Sequence, residues 1–170
     1  AAECDLLYDM LLAGYNSAFF MEMSERRGLF YDVTGSLDRY RNIGNLNFTF
    51  EVKEKDLYDA AELTVSVLSD LRERVPREEE CMRASYVDNA YVLYDEVRDF
   101  NFTYGYENHI LNLGYRSVED RIRAYRAVTP ERLRAVAAEV FRPENLLLTL
   151  KTNKKRVDRA RLEAILAKLA

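Results

Sequence analysis

The spacing of hydrophobic residues predicts a long amphipathic helix at the start of the chain, from about Glu3 to Arg27. Apolar side chains recur there at steps of three and four residues, which places them on one face of a helix. They are Leu7, Leu11, Tyr15, Ala18 and Phe19. Glycine commonly ends a helix because it adopts the left-handed conformation without steric cost. The sequence therefore predicts that this helix ends at Gly28.

The hydrophobic period then changes to two, which is typical of β-strands. Residues Leu29 to Tyr40 alternate without a clearly apolar face, and residues 46–52 alternate with apolar side chains on one side. Those apolar side chains belong to Leu46, Phe48, Phe50 and Val52. Because Asn42 to Gly44 form a polar turn between the two runs, the pattern predicts a β-hairpin with one face on a core.

Helical spacing dominates the rest of the chain. The predicted helical segments are Lys53 to Val75, Pro76 to about Leu113 with Gly105 as a possible break, and Asp158 to Leu169. Two shorter helices are expected after Ser117 and after Thr129, where a hydroxyl side chain can cap the first turn. Pro130 then occupies the first helical position, which proline tolerates well.

One short apolar run, Leu146 to Leu150, follows Pro143 and predicts a buried third strand. The element order is therefore that of an α+β two-layer domain, with a small, mainly antiparallel sheet packed against several helices. We expect residues 1–170 to form a single domain. Because no strand precedes the first helix, one sheet edge is expected to be open. Either a strand upstream of this fragment or a partner is then expected to cover that edge, with self-association through the edge as one possibility.

Composition and charge argue against several classes of protein. The chain is 48% hydrophobic and 32% charged, with only 6 Gly and 3 Pro, which argues against a disordered chain. A net charge of -4 gives no general attraction to nucleic acid or to an anionic membrane. No apolar run reaches the roughly 20 residues of a membrane span. Cys4 and Cys81 form neither a metal cluster nor a disulfide framework, so a cytoplasmic location is predicted.

The chain is poor in catalytic motifs. His109 is the only histidine, so the chain alone cannot assemble a zinc site that needs two. No Gly-x-Ser-x-Gly elbow and no glycine-rich phosphate loop occurs. We therefore predict neither a catalytic residue nor a bound metal in this chain, and we expect His109 to be a structural or surface residue.

Three regions of the sequence allow two interpretations each. The tyrosine- and phenylalanine-rich stretch 86–106 could stack nucleic-acid bases, but the acids within it would repel phosphates, so core packing is favoured. The basic stretch from Lys151 to Arg161 could bind a polyanion, although a solvated rim is the simpler interpretation. The junction of the first helix and first strand, with Arg26, Arg27 and Tyr31, could hold an extended peptide beside a sheet edge or could simply cap the helix.

At this junction the sequence resembles a known family. The segments Leu-Leu-Ala-Gly-Tyr-Asn-Ser-Ala-Phe-Phe at 11–20 and Ser-Glu-Arg-Arg-Gly-Leu-Phe-Tyr-Asp-Val at 24–33 are similar to the second half-domain of pitrilysin, insulinase and mitochondrial processing peptidase-type enzymes. Residues 127–133 and 141–146 resemble the late helix and the final strand of that half-domain. The resemblance implies a zinc metallopeptidase built from two related halves, with the His-x-x-Glu-His metal site in the other half. Halves of this family begin with a strand before the first helix, so the resemblance also implies that residues 1–170 are an N-terminally truncated C-terminal half of a duplicated peptidase.

The resemblance also implies roles for residues at the junction. The family places an arginine and, seven residues later, a tyrosine on substrate carbonyls, and Tyr31 matches that tyrosine. The arginine position is occupied by Ser24, so Arg26 or Arg27 is the candidate replacement. The expected function is a non-catalytic half that forms the wall of a peptide chamber, paired with a catalytic half on the same or a partner chain. The alternative is an assembly module of the same fold without a substrate role.

Overall fold

The computed structural model describes residues 1–12, 17–30, 32–73, 98, 101, 104–115, 117–153 and 155–169. Three features of the sequence prediction lie outside these residues. They are the helix start at Pro76, most of the aromatic stretch 86–106, and Tyr31.

The predicted first helix begins as α1, Ala2–Leu12, and helical backbone is again present at residues 18–19. It continues as a wider π-helical segment, Phe20–Glu25, in which the Arg26 N–H donates to the Met21 carbonyl at 3.1 Å. Gly28 has a φ of 61°, and its N–H donates to the Ser24 carbonyl at 2.8 Å. The predicted helix end at Gly28 is therefore confirmed, because this left-handed conformation favours glycine.

The predicted hairpin is formed by β1, Val33–Arg39, and β2, Gly44–Phe50. The strands are antiparallel, with Gly35 opposite Phe48 and Leu37 opposite Leu46. Gly35 lies where α1 crosses the sheet, and a Cβ added there would stand 2.6 Å from a Leu12 methyl carbon. Such a distance is shorter than any van der Waals contact, so this crossing requires a glycine.

The remaining helices follow the predicted order. The α-helices are α2, Leu57–Glu73, α3, Val118–Arg126, α4, Pro130–Val140, and α5, Arg159–Leu166, and short 3₁₀ turns lie at Glu54–Asp56, Pro143–Asn145 and Ala167–Leu169. The predicted capping residues act as caps, since the hydroxyls of Ser117 and Thr129 accept hydrogen bonds from backbone N–H groups at 3.2 and 3.3 Å. Gly105 lies in helical backbone and is not a break; the π-helical turn Tyr106–Ile110 follows it.

The core lies between the hairpin and the helices, which makes this the predicted two-layer α+β fold. Its largest fully buried side chains include Leu6 of α1, Phe19, Tyr125 of α3, Leu133 of α4 and Leu169 of the last 3₁₀ turn. The helix α2 packs against both α4 and α5, and α1 packs against β1 and α4. Among the described residues, no helix is long and apolar enough to cross a membrane.

The prediction of a third, buried strand at Leu146–Leu150 is wrong. The sheet of the described chain contains only β1 and β2. The exposed fractions are 88% for Leu147, 45% for Leu148 and 39% for Leu150. A strand becomes buried only when another strand or layer covers it, and none of the described residues does so here.

A buried charge network ties the hairpin to α1 and α3. Arg39 of β1 pairs with Asp5 of α1, Arg121 of α3 pairs with Glu107, and the second contacts Arg39–Glu107 and Arg121–Asp5 measure 4.0 and 3.8 Å. Tyr125 adds a hydrogen bond from its hydroxyl to Asp5 at 2.6 Å. Two carboxylates and two guanidiniums balance one another, which is the condition under which charges are tolerated in a core.

Candidate functional site

The junction that follows the first helix is exposed. The backbone turns at Arg26, Arg27 and Gly28, all of which lie in solvent, before Leu29 and Phe30 return to the core. Arg26 forms an ion pair with Glu22, one helical turn earlier. The Ser24 side chain is half-buried, and its carbonyl accepts the hydrogen bond from Gly28. Tyr31 lies outside the described residues, so its placement stays a prediction.

Aromatic packing fixes the position of this junction. The Phe30 ring lies 5.3 Å from the Phe50 ring, centroid to centroid, and Phe19 lies 4.8 Å from Phe48. These distances fall in the range in which aromatic rings stabilise one another. The residues on both sides of the exposed turn are therefore held against β2.

A groove of about 830 Å³ lies beside the junction. Arg27 and Leu29 line it on one side, the α2 residues Asp59, Glu62 and Ser66 on the other, and Lys168 also reaches it. The ammonium group of Lys168 stands 3.4 Å from a carboxylate oxygen of Glu62. The groove thus offers a guanidinium, hydroxyl donors and an apolar strip, which are the groups that bind an extended polar peptide.

Arg26 and Arg27, the two candidates to replace the arginine that the family has at position 24, have different surroundings in the structure. Arg27 lines the groove, whereas Arg26 is paired with Glu22 on its own helix. The α2 side chains and Lys168 were not singled out from the sequence. Their placement depends on how α2 packs against the 3₁₀ turn Ala167–Leu169, and helical periodicity does not report such contacts between distant segments.

A second, smaller cleft of about 450 Å³ lies at the other end of the hairpin. It is lined by Arg41 and Asn42 of the hairpin turn, by His109 and Ile110 at the end of the π-helical turn, and by Asn112 just after it. His109 is exposed, in line with the expectation of a surface histidine. Within the described part of the chain, no acidic side chain lines this cleft beside His109, so the geometry offers that imidazole no carboxylate partner there.

Metal-ligating groups do not cluster in the part of the chain described. Among those residues, no group of three or more His, Cys, Asp or Glu side chains stands close enough to hold a metal ion. Cys4 is a half-buried free thiol, and Cys81 lies outside the described residues.

The basic stretch after Leu150 lies at the surface. Its exposed bases are Lys151, Lys155, Arg156, Arg159 and Arg161. Two of them have protein partners, because Arg159 pairs with Glu163 at 2.8 Å and the Arg161 guanidinium lies 4.1 Å from the centre of the Tyr58 ring. This arrangement is that of a solvated rim with local pairing.

Comparison with known families identifies the region that carries the junction. Residues 1–84 match the family described as the Peptidase M16 inactive domain. The match covers α1, the junction, the hairpin and α2, and therefore all the candidate peptide-contacting positions from 24 to 31. No curated protein matches the chain. An inactive domain of this family implies a catalytic half with which it pairs.

Proposed function

We propose that this chain, of which residues 1–84 match the inactive domain of M16 peptidases, is a second, non-catalytic half that holds peptide substrate for a catalytic half. It forms a wall of the chamber in which the catalytic half hydrolyses the peptide. Zinc and the glutamate that activates its water belong to that catalytic half, on the same or a partner chain. The proposed location of this chain is the cytoplasm. Without the catalytic half, the chain does not hydrolyse peptides.

The observation that carries the proposal is the position of the exposed junction beside a groove. Arg27 stands just after the π-helical segment, within residues 1–84 that match the inactive domain, and it also lines the groove against α2. A guanidinium donates up to five hydrogen bonds in a fixed fork, so it can hold a peptide carbonyl at a defined place.

The chemical contribution of this half is positioning. Arg27 and, by resemblance, the Tyr31 hydroxyl donate hydrogen bonds to substrate carbonyls. Arg26 and Ser24 hold the turn through main-chain hydrogen bonds only, the Arg26 N–H to the Met21 carbonyl and the Gly28 N–H to the Ser24 carbonyl, so the Arg26 side chain has no part in presenting the donors. Fixing the peptide relative to the reacting groups lowers the entropic part of the barrier. None of these residues transfers a proton or bonds to the reacting carbon.

The test is complementation of peptide cleavage. The 170-residue chain, mixed with a catalytic half that carries the His-x-x-Glu-His site, should raise cleavage of a fluorogenic peptide above that of either protein alone. Arg27→Gln and Tyr31→Phe should each reduce the gain about 10- to 100-fold, since each removes a charge-assisted or hydroxyl donor. Arg26→Gln is the matched control and should leave most of the gain. Absence of any gain, or stoichiometric zinc binding with cleavage by this chain alone, would contradict the proposal.

A second candidate function is that of an assembly module without a substrate role. The exposed leucines at 147, 148 and 150 favour it, because solvent-exposed apolar surface of this kind marks contact sites. Tyr31→Phe separates the two functions. An assembly module keeps both partner affinity and cleavage after this substitution, whereas a substrate-holding half loses turnover and keeps affinity.

A further inference from the structure

The cleft of about 450 Å³ at the hairpin turn, here called the turn cleft, is lined by four polar side chains. Arg41 and Asn42 come from the turn, and His109 and Asn112 come from the end of the π-helical turn and the residues after it. All four are exposed, and within the described chain their side chains make no hydrogen bond or ion pair with protein groups. A guanidinium, an imidazole and two amides all donate N–H groups, so the cleft offers several donors to one ligand.

Among its described lining residues, the turn cleft has one permanent positive charge, on Arg41, and no acid. Glu107 of the same π-helical turn is buried and paired with Arg121. Asp38, the acid nearest to Arg41 along the chain, accepts a hydrogen bond from the Asn47 amide at 2.8 Å. The Arg41 guanidinium therefore forms no ion pair within the described chain. One positive charge among neutral donors fits a singly charged anion, because a second negative charge would lack a counter-charge.

Exposed apolar side chains accompany these donors. Ile110 lines the turn cleft and is 54% exposed, and Ile43 is 65% exposed in the hairpin turn. The Tyr106 hydroxyl donates to the Arg39 carbonyl at 3.1 Å, which ties the π-helical turn to the hairpin. Apolar surface with a few polar groups is the usual composition of a ligand site. The fitting ligand therefore has an apolar part next to its anionic group.

We propose that the turn cleft binds a carboxylate that is carried by an apolar group. Two parallel N–H groups of the Arg41 guanidinium can donate to the two carboxylate oxygens, so the two groups match in charge and in geometry. The Asn42 and Asn112 amides and the His109 imidazole donate to the remaining lone pairs, and Ile110 contacts the apolar part. Two sources share this chemistry: the C-terminal residue of a peptide, where that residue is apolar, and a free apolar carboxylic acid.

The turn cleft is separate from the proposed substrate contact at Arg27. The strand β1 covers seven residues between the junction and the hairpin turn, which is roughly 20 Å of strand. The inference does not rest on substrate holding, since its test measures binding and needs no catalytic half.

The test is nuclear magnetic resonance of the full 170-residue chain, titrated with four probes into the millimolar range. Acetyl-Gly-Gly-Leu with a free carboxylate and N-acetylleucine should both shift the amide signals of residues 41–43 and 109–112. Acetyl-Gly-Gly-Leu-amide should bind at least about 10-fold more weakly, because it loses the charge-assisted hydrogen bonds. Inorganic phosphate should also bind more weakly, because it has no apolar part. Tighter binding of the peptide acid assigns the site to a peptide C-terminus, and equal binding of both acids assigns it to a small carboxylic acid.

Variants locate the binding in the turn cleft. Arg41→Gln should weaken binding of both acids at least about 10-fold, since it removes the charged donor. Ile110→Ser should weaken it several-fold through the lost apolar contact. Arg156→Gln is the matched control, because Arg156 is an exposed arginine outside the cleft, and it should leave binding unchanged. The proposal is overturned if the acids shift none of these amides, if the amide probe or phosphate binds as tightly as the acids, or if Arg41→Gln has no effect.

Discussion

The hydroxyl of Tyr125 donates a 2.6 Å hydrogen bond to the carboxylate of Asp5, which lies 120 positions earlier in the chain. Tyr125 is 1% exposed and Asp5 is 7% exposed, so this bond joins α3 to α1 inside the core. Arg121 donates to the same hydroxyl from one helical turn earlier, at 3.3 Å from Nε. The Tyr125 hydroxyl thus accepts a hydrogen bond from Arg121 and donates one to the buried Asp5 carboxylate.

Removing that hydroxyl should destabilise the fold. Tyr125→Phe removes one hydrogen-bond donor from a buried carboxylate, so we expect the free energy of unfolding to fall by about 1–3 kcal/mol. Urea unfolding followed by circular dichroism measures the change. Tyr40→Phe is the control, because Tyr40 is 56% exposed and its change should stay within about 0.5 kcal/mol. Equal losses for both variants would show that the buried hydrogen bond contributes nothing.

The buried ion network should be more sensitive than surface ion pairs. Arg121→Met removes the arginine that forms the shorter ion pair with Glu107 in the core. Breaking a buried ion pair lowers the free energy of unfolding by about 3–5 kcal/mol. Arg123→Met removes the ion pair of Arg123 with Asp120 on the same helix, where the arginine side chain is 73% exposed. The free energy of unfolding should then fall by less than about 1 kcal/mol. Chemical denaturation of both variants gives the comparison. A cost for Arg121→Met no larger than that for Arg123→Met would contradict the buried role.

Two glycines should respond in opposite directions to the same substitution. Gly35→Ala places a Cβ 2.6 Å from the Leu12 side chain and 2.8 Å from the Asn47 carbonyl oxygen, so a loss of about 1–3 kcal/mol is expected. Gly105 has helical dihedrals and nothing within 4 Å of an added Cβ. Gly105→Ala should therefore stabilise by about 0.5–1 kcal/mol, since alanine is the better helix former. Thermal unfolding of both proteins checks the sign of each effect.

Glu3 should make stability depend on pH in the acid range. Burial alone raises the pKa of Glu3, but hydrogen bonds from its own backbone N–H and from Arg132 outweigh burial and lower the pKa below its usual 4.5. A carboxyl group whose pKa is lower in the folded state than in the unfolded state stabilises the fold at pH values above its unfolded-state pKa. This stabilisation is lost as the pH falls through the folded-state pKa. Stability measured from pH 7 to pH 3 should therefore fall less steeply for Glu3→Gln than for the wild type. Arg132→Met should flatten the curve in the same direction, and an unchanged slope in Glu3→Gln would contradict the assignment.

Local signals in the sequence predicted most of the elements correctly. The helix stop at Gly28, the hairpin, and the caps at Ser117 and Thr129 depend on residues within a few positions of one another, and the structure confirms each of them. The apolar run at Leu146–Leu150 was misread as a buried strand. Its composition reports the preference for an extended conformation, but burial depends on a neighbour that the composition does not specify.

In the candidate site, too, some features follow from the local sequence and others depend on contacts between distant segments. The sequence by itself determined the junction, because the residues from Ser24 to Tyr31 are contiguous and carry the family resemblance that the match over residues 1–84 confirms. Only the tertiary structure decided that Arg27 lines a groove with α2 and Lys168, and that Asp5 meets Tyr125. The residues that line this groove stand up to 141 positions apart in the sequence, from Arg27 to Lys168. The physical reason is that local periodicity fixes which face of an element is apolar, whereas packing of the whole core decides which faces meet.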